Sequence, residues 1–210
     1  MYSKLQYISQ GETAAEQIEN IQQALDAGCD WIQLRFKNAN EEELFSVAEK
    51  AKTLCQKNKA MFIINDNIEL TKKTDADGVH LGLTDESPII ARNILGKGKI
   101  IGGSANTIQD VLKRVEEKCD YVGIGPLRFT TTKEKLSPVL GIEGFQKIML
   151  ELKNKNIHIS VYAIGGIVLE DVDQLMQAGV YGIAVSGIIT NYSDKKILIE
   201  QLNTHLHATT

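Results

Sequence analysis

Short apolar or β-branched runs recur along the whole chain, and segments with the period of an α-helix separate them. Continuous apolar runs are typical of strands buried on both faces, whereas apolar residues spaced three and four apart are typical of amphipathic helices. The pattern predicts eight strands, at 4–9, 31–36, 61–66, 78–82, 100–105, 121–125, 161–165 and 182–187. Strands and helical or connecting segments therefore alternate throughout the chain.

Several of the predicted helices carry start or stop signals. Thr13 and Glu16 have the spacing of a capping box, and Asn40 precedes Glu43 in the same way. Gly179 follows an apolar helical stripe, in a position typical of a helix end. The segments at 67–74 and 88–95 are short and have the weakest helical patterns.

One structural unit repeats along the sequence. The stretches AGCDWIQL, EKCDYVGI, DADGVHL and AGVYGIAV each place a helix end, a tight turn and a strand in succession. Units of about 26 residues, with parallel strands joined by helical crossovers, predict a (β/α)₈ TIM barrel. An open, doubly wound sheet is the alternative. Because no linker or composition shift divides residues 1–210, we expect a single barrel domain.

Composition narrows the range of partners. The chain has 210 residues, of which 43% are hydrophobic, and a net charge of −4, so neither nucleic acid nor an anionic membrane is an expected partner. No signal-peptide pattern and no membrane-spanning apolar run is evident, which favours a cytoplasmic protein. Cys29, Cys55 and Cys119 lack metal-site spacing, and we interpret them as small, partly buried thiols rather than as zinc ligands or disulfides.

Polar residues concentrate where the predicted strands end, which is where TIM barrels carry their active sites. The alternation of Gln33, Arg35 and Lys37 predicts that their side chains share one face of strand two. Each motif taken alone also fits a water-facing strand, a turn or a helix cap. The full set of strand-end residues is Gln33, Arg35, Lys37, Asn65, Asp66, Asp85, Ser104, Asn106, Thr130, Thr132, Lys133, Gly165, Gly166, Ser186 and Gly187.

The residue types at these positions indicate phosphorylated ligands. Arg35, Lys37 and Lys133 are cations suited to a diphosphate, and Asp66 and Asp85 are oxygen ligands suited to Mg²⁺. The glycines that end strands seven and eight are typical of a second, simple phosphate site. His80 is interpreted as a hydrogen-bonded packing residue. No nucleophile–base pair is evident, so this set favours a reaction whose main difficulty is the departure of pyrophosphate.

Several motifs occur in an order that covers nearly the whole chain. These are IQLRFK, FIINDN, DGVHLG-x-x-D, IIGGSANT, YVGIGP followed by T-x-TK, YAIGGI and GIAVSG. Together they resemble the thiamine phosphate synthase family, also called thiamine phosphate pyrophosphorylases. The resemblance implies a (β/α)₈ transferase of thiamine biosynthesis. Such an enzyme uses Mg²⁺ to join hydroxymethylpyrimidine diphosphate to hydroxyethylthiazole phosphate, releasing pyrophosphate by a dissociative mechanism.

The resemblance also implies a role for each matching residue. Arg35, Lys37, Asn65 and Lys133 would hold the diphosphate, with Arg35, Lys37, Lys133 and Ser104 as the catalytic set. Gln33 and Ser104 would face the pyrimidine, and Asp66 and Asp85 would bind Mg²⁺. The thiazole phosphate would be held by Thr130, Thr132, Gly165, Gly166, Ser186 and Gly187.

Two other functions stay open at this stage. The related thiazole tautomerases use a histidine at the position of Asn106 and tend to lack the T-x-TK loop, so both features favour the synthase. A non-catalytic barrel that binds thiamine precursors is the second alternative, although paired carboxylates beside Lys133 would be superfluous for binding alone. The expected partners are two small phosphorylated substrates, and a homo-oligomer is compatible with the sequence.

Overall fold

The strands form a closed parallel barrel in this computed structural model, which describes residues 2–37, 39–129 and 137–208. The strands are β1 Leu5–Ile8, β2 Trp31–Leu34, β3 Met61–Asn65, β4 Gly78–Leu81, β5 Ile100–Ala105, β6 Tyr121–Ile124, β7 Ser160–Ile164 and β8 Gly182–Val185. They neighbour one another in chain order, and β8 pairs in parallel with β1. The predicted (β/α)₈ barrel is therefore confirmed, and the open-sheet alternative is wrong.

Helices follow the strands and pack around the barrel. They are α1 Ala14–Asp26, α2 Glu41–Lys57, α3 Ile68–Thr74, α4 Pro88–Leu95, α5 Ile108–Glu116, α6 Gly141–Asn154, α7 Val172–Gln177, α8 Gly187–Thr190 and α9 Lys195–Ala208, with a 3₁₀ turn at Leu169–Asp171. The predicted capping box of Thr13 and Glu16 is present, and Asn40 caps α2 through the amide of Glu43. None of the helices in the described part of the chain is long and apolar enough to cross a membrane.

The weakly patterned helices form because their first turns are capped. Asn67 accepts a hydrogen bond from the amide of Leu70 at the start of α3, and Ser87 accepts one from Ile89 at the start of α4. Side-chain oxygens at these positions satisfy amides that have no partner within the helix. Short helices can therefore persist where the apolar stripe is poor.

Aromatic side chains fill the barrel interior near the amino ends of the strands. Trp31, Tyr121 and Tyr162, which we call the aromatic plug, are fully buried. Their ring centroids lie 5.1 to 5.4 Å apart in edge-to-face contacts, a favourable geometry for aromatic pairs. The plug fills the barrel interior near the amino ends of the strands.

The three cysteines are free and buried, as predicted. Burial raises the pKa of the Cys29 and Cys119 thiols to about 12, and it also raises the pKa of Cys55. A thiol with so high a pKa is a poor nucleophile at neutral pH. The cysteines therefore act as packing residues.

A buried arginine joins α5 to the strand ends that lead into the barrel mouth. The Arg114 guanidinium donates to the carbonyls of Ser104 and Gly82, at 3.0 and 2.8 Å. It also donates to the Glu117 carboxylate at 2.8 Å. Arg114 is only 3% exposed, so each of these acceptors depends on it for a partner that water cannot easily replace.

We expect Arg114→Met to lower the free energy of unfolding by about 3–5 kcal/mol, because Glu117 would be left as a buried, unpaired charge. Urea denaturation of the purified protein measures this loss. Combining Arg114→Met with Glu117→Leu removes the orphaned charge and should recover part of it. A single variant as stable as the wild type would contradict this account.

Candidate active site

A cavity of about 380 Å³ opens at the carboxyl ends of the strands. We call it the central cavity. Its lining includes eight of the residues predicted from the sequence, namely Gln33, Arg35, Asn65, Ser104, Gly165, Gly166, Ser186 and Gly187. Because these residues come from five strand ends that are far apart in the chain, only barrel closure brings them together.

A larger depression of about 980 Å³ lies elsewhere, among residues that include Lys4, Cys119, His158 and Tyr181. It sits near the amino ends of the strands, away from the predicted site residues. Parallel barrels carry their chemistry at the opposite end, where strand-to-helix loops converge. The smaller central cavity is therefore the better candidate for an active site.

Gln33 and Asn65 form a polar pair on neighbouring strands. The Gln33 Nε2 donates to Asn65 Oδ1 at 2.8 Å, which leaves the Asn65 amide nitrogen as a donor for another group. Gln33 is only 2% exposed, and its Oε1 has no hydrogen-bond partner within the described structure. A buried acceptor without a partner is costly, so this oxygen is suited to accept a hydrogen bond from a ligand.

Strand β2 is shorter than predicted. It ends at Leu34, which pairs with Ile64, and therefore Arg35 and Lys37 lie in the loop that follows. The Arg35 backbone is held by Ser9 Oγ at 2.9 Å and Gln17 Nε2 at 3.3 Å. The prediction that Gln33, Arg35 and Lys37 share one face is only partly right.

Arg35 lines the central cavity beside Gln33, whereas Lys37 lines a neighbouring cleft. The Lys37 ammonium lies 3.3 Å from the Asp66 carboxylate, with half of the side chain exposed. The two side chains point to different clefts because the pairing of β2 with β3 ends at Leu34 and Ile64. Beyond it the backbone no longer keeps the two-residue alternation of a strand.

The predicted metal ligands Asp66 and Asp85, which we call the carboxylate pair, lie side by side. Asp66 follows β3 in the left-handed region, with φ of 65°, and its amide donates to the carbonyl of His80 at 2.8 Å. Asp85 is oriented by the amide of Gly82, which donates to its Oδ2 at 2.6 Å. Burial and, after it, the neighbouring Asp85 carboxylate raise the pKa of Asp66, Lys37 partly offsets both effects, and the resulting pKa is about 6.

The carboxylate pair fits a divalent cation. Two adjacent carboxylates repel each other, which adds to the effect of burial on the pKa of Asp66, and a cation between them would relieve that repulsion. Over the described residues, no group of three or more His, Cys, Asp or Glu side chains could hold a metal ion by itself. Magnesium is commonly held by one or two carboxylates, with substrate phosphates and water as the other ligands. The pair thus fits Mg²⁺ delivered with a phosphorylated substrate.

Ser104 and His80 form the part of the cavity wall nearest the aromatic plug. Ser104 Oγ lies 3.0 Å from His80 Nε2, and His80 Nδ1 lies 2.9 Å from the Tyr121 hydroxyl. The expectation that His80 is hydrogen-bonded is confirmed, but it also lines the cavity, which the sequence interpretation missed. Its pairing with Asn65 across β3 and β4 is the feature that could have revealed this.

Asn106 ties together the two ends of the loop after β6. Its buried amide nitrogen donates to the carbonyls of Gly125 and Pro138, each at 2.9 Å. Arg128 anchors the first end further by donating to the carbonyl of Gly166 at 2.8 Å and to Asp171. The predicted site residues Thr130, Thr132 and Lys133 lie between these anchors, outside the described residues.

Two consecutive glycines form the turn after β7. Gly165 and Gly166 have φ of 88° and 72°, a region that other residues rarely adopt. A Cβ on Gly165 would lie 2.5 Å from Pro126 Cβ, and one on Gly166 would lie 2.5 Å from Arg128 Cγ. Glycine is therefore required here by both conformation and space. Ser186 and Gly187, which follow the adjacent strand β8, line the same cavity as this turn.

We expect Asp66→Asn to stabilise the metal-free protein by about 1–2 kcal/mol at pH 7–8. The folded-state pKa of Asp66, about 6, lies above the ordinary value of 3.8, so the folded state retains a proton that the unfolded state has lost, and stability falls as the pH rises from 3.8 to about 6. The gain should vanish near pH 4, where the wild-type carboxyl is protonated in the folded state. Asparagine also tolerates the left-handed backbone of this position.

Thermal unfolding of both proteins in a chelator, from pH 4 to 8, measures this difference. Adding Mg²⁺ should raise the melting temperature of the wild type more than that of the variant. Parallel stability curves for the two proteins across the pH range would contradict a raised pKa at Asp66.

Comparisons with known proteins agree with this arrangement. Residues 5–189 match the family described as thiamine monophosphate synthase. A thiamine-phosphate synthase from Flavobacterium johnsoniae is 58% identical over 208 residues, covering 99% of this chain and 98% of that protein. One from Flavobacterium psychrophilum is 57% identical over 206 residues, covering 98% of this chain and 100% of that protein.

A solved structure also superimposes closely. The thiamine phosphate pyrophosphorylase from Pyrococcus furiosus matches with a TM-score of 0.84 and 29% identity, over 98% of this chain and 96% of that chain. The likeness thus extends over sequence and barrel alike. The chain belongs to the thiamine monophosphate synthase family.

Proposed function

We propose that this protein is a transferase that condenses 4-amino-5-hydroxymethyl-2-methylpyrimidine diphosphate with hydroxyethylthiazole phosphate, producing thiamine phosphate and pyrophosphate. Family membership supports this assignment. The observation that carries it is that one cavity is lined by the polar pair Gln33 and Asn65, by the cation Arg35 and by the glycine turn after β7. The carboxylate pair lies beside that cavity, in contact with Lys37.

The diphosphate would lie between Arg35, Lys37 and Asn65, with Lys133 as a further cation from the loop after β6. An arginine can donate to two phosphate oxygens at once, and a lysine adds a compact charge. The Asn65 amide nitrogen suits the same role because Gln33 already occupies its oxygen. Four donors of this kind would compensate a leaving group that is strongly negative.

The pyrimidine would rest deeper in the cavity, against Gln33 and Ser104. The buried Gln33 Oε1 suits the exocyclic amino group, which is a hydrogen-bond donor. Ile8, Ile164 and Ala184 contribute apolar surface to the same cavity. Such a lining favours a flat heteroaromatic ring and excludes water from its reactive carbon.

The phosphate of the thiazole would lie at Gly165, Gly166, Ser186 and Gly187, with Thr130 and Thr132 contributed by the loop. The glycine turn brings backbone close to a ligand without side-chain obstruction. The two phosphorylated groups would then occupy opposite sides of one cavity. The methylene carbon of the pyrimidine would then lie between the two phosphorylated groups and would face the thiazole ring.

Asp66 and Asp85 would hold Mg²⁺, which would supply Lewis-acid neutralisation of the diphosphate charge. In the reaction, the bond between the methylene carbon and the diphosphate oxygen breaks, and its electron pair leaves with pyrophosphate. The thiazole nitrogen then donates its lone pair to the cationic methylene carbon. No proton moves, so the residues act chiefly by placing positive charge around the leaving group.

Asn106 argues against a tautomerase. A proton shift requires a group that can take up and return a proton, and a carboxamide cannot do so. The Asn106 amide is moreover committed to the carbonyls of Gly125 and Pro138, and it holds the loop rather than facing a substrate. The synthase assignment therefore stands without a competing activity.

The direct test incubates the purified protein with both phosphorylated precursors and Mg²⁺, and quantifies thiamine phosphate and pyrophosphate. We expect equal amounts of the two products and none when either precursor is omitted. A folded protein that forms no product would overturn the assignment.

The metal assignment has its own test. We expect Asp85→Asn to raise the Mg²⁺ concentration for half-maximal activity by about tenfold, since one of two anionic ligands is lost. Glu116→Gln is the matched control, because it removes an exposed carboxylate on α5 that does not line the cleft of Lys37 and Asp66. An identical Mg²⁺ dependence in Asp85→Asn and the control would exclude Asp85 as a ligand.

A further inference from the structure

A chain of buried hydrogen bonds runs from the barrel interior to the central cavity. Gln6 Nε2 donates to the Tyr121 hydroxyl at 3.3 Å, and that hydroxyl lies 2.9 Å from His80 Nδ1. His80 Nε2 in turn lies 3.0 Å from Ser104 Oγ. All four residues are at least 93% buried, since their exposed fractions are 1%, 0%, 7% and 6%. We call this set the relay.

The strand register explains how Tyr121 reaches a histidine two strands away. Gly102 on β5 pairs with His80 on β4 and with Tyr121 on β6. A Cβ on Gly102 would lie 2.2 Å from the Tyr121 ring, so the phenol passes across β5 only because this residue has no side chain. The relay is thus built into the barrel by a specific glycine.

The donors and acceptors of the relay determine which atom donates in each of its hydrogen bonds. Burial raises the pKa of Tyr121, so the phenol keeps its proton at neutral pH. Gln6 donates a hydrogen bond to the phenolic oxygen of Tyr121. The phenolic proton then needs an acceptor of its own, and among the described contacts of this hydroxyl the acceptor is His80 Nδ1. A Nδ1 that accepts leaves the His80 proton on Nε2. That proton points to Ser104 Oγ.

We propose that Gln6 and Tyr121 are positioning residues that place the His80 proton on Nε2, which makes Ser104 a hydrogen-bond donor toward the pyrimidine ring. With its oxygen occupied by His80, the Ser104 hydroxyl directs its own hydrogen into the cavity, where a ring nitrogen accepts it. The identity of this ligand rests on the proposed function, whereas the direction of the relay rests on the contacts alone. The reverse direction would present an acceptor to the pyrimidine.

The first test measures the tautomer without any substrate. The protein is labelled with ¹⁵N-histidine, and long-range ¹H–¹⁵N spectra distinguish a protonated Nδ1 from a protonated Nε2. The chain has four histidines, so the signal that disappears in His80→Asn identifies His80. We expect Nε2 to carry the proton. A proton on Nδ1 would overturn the proposal, whether or not the protein makes thiamine phosphate.

The second test removes one hydroxyl from the relay. Tyr121→Phe should give a mixture of His80 tautomers and raise the KM for the pyrimidine diphosphate about tenfold, the loss of roughly one hydrogen bond, while the KM for the thiazole phosphate stays constant. Tyr162→Phe is the matched control. That residue belongs to the same aromatic plug, but its hydroxyl donates to the carbonyl of Ser3 at 2.6 Å instead of to the relay.

A double-mutant cycle separates positioning from general loosening of the core. In a Ser104→Ala background, Tyr121→Phe should no longer change the KM for the pyrimidine diphosphate, because the donor that it orients is already absent. Equal effects of Tyr121→Phe and Tyr162→Phe, or an undiminished effect in the Ser104→Ala background, would overturn the proposal.

Discussion

Closure of the barrel between β8 and β1 is the constraint on which the rest of the structure depends. The amide of Ile183 donates to the carbonyl of Lys4 at 2.8 Å, and a Cβ on Gly182 would lie 2.2 Å from the same oxygen. The two strands can therefore meet because Gly182 has no side chain. Since all strands are parallel, closing the ring brings every carboxyl end to one mouth, where side chains from distant segments become neighbours.

The packing of the barrel interior then determines how far the central cavity extends into the barrel. The aromatic plug fills the barrel near the amino ends of the strands, and the relay joins the plug to the cavity. Small residues make room for both, since Gly102 accommodates the Tyr121 ring and Gly123 lies against His80. The same buried layer therefore stabilises the core and orients a polar group at the site.

Opposite charges lie close together at the mouth of the barrel. The carboxylate pair is partly compensated by Lys37, and the raised pKa of Asp66 reflects its burial together with the neighbouring Asp85 carboxylate. Lys37, proposed to bind the diphosphate, and the carboxylates proposed to bind the metal therefore occupy adjacent positions. A Mg²⁺–diphosphate complex would complement both groups, and this explains why opposite charges are placed so close together in the proposed enzyme.

The sequence by itself determined the barrel class, the order of its strands and eight polar or glycine residues of the central cavity. Local patterns suffice for these features, because strand periodicity, caps such as Thr13 and strand-end residues such as Asn65 depend on near neighbours in the chain. The roles assigned to the cavity residues, the Mg²⁺ ligands and the loop threonines remain predictions.

Only the tertiary structure decided how the polar groups pair. The sequence did not reveal that Lys37 turns to Asp66 while Arg35 faces the cavity, or that Asn106 joins Gly125 to Pro138. It also did not reveal that His80 connects Tyr121 to Ser104. These contacts join residues on different strands and loops, so they depend on register and on where each strand ends. Both are set by closure of the whole barrel rather than by local sequence.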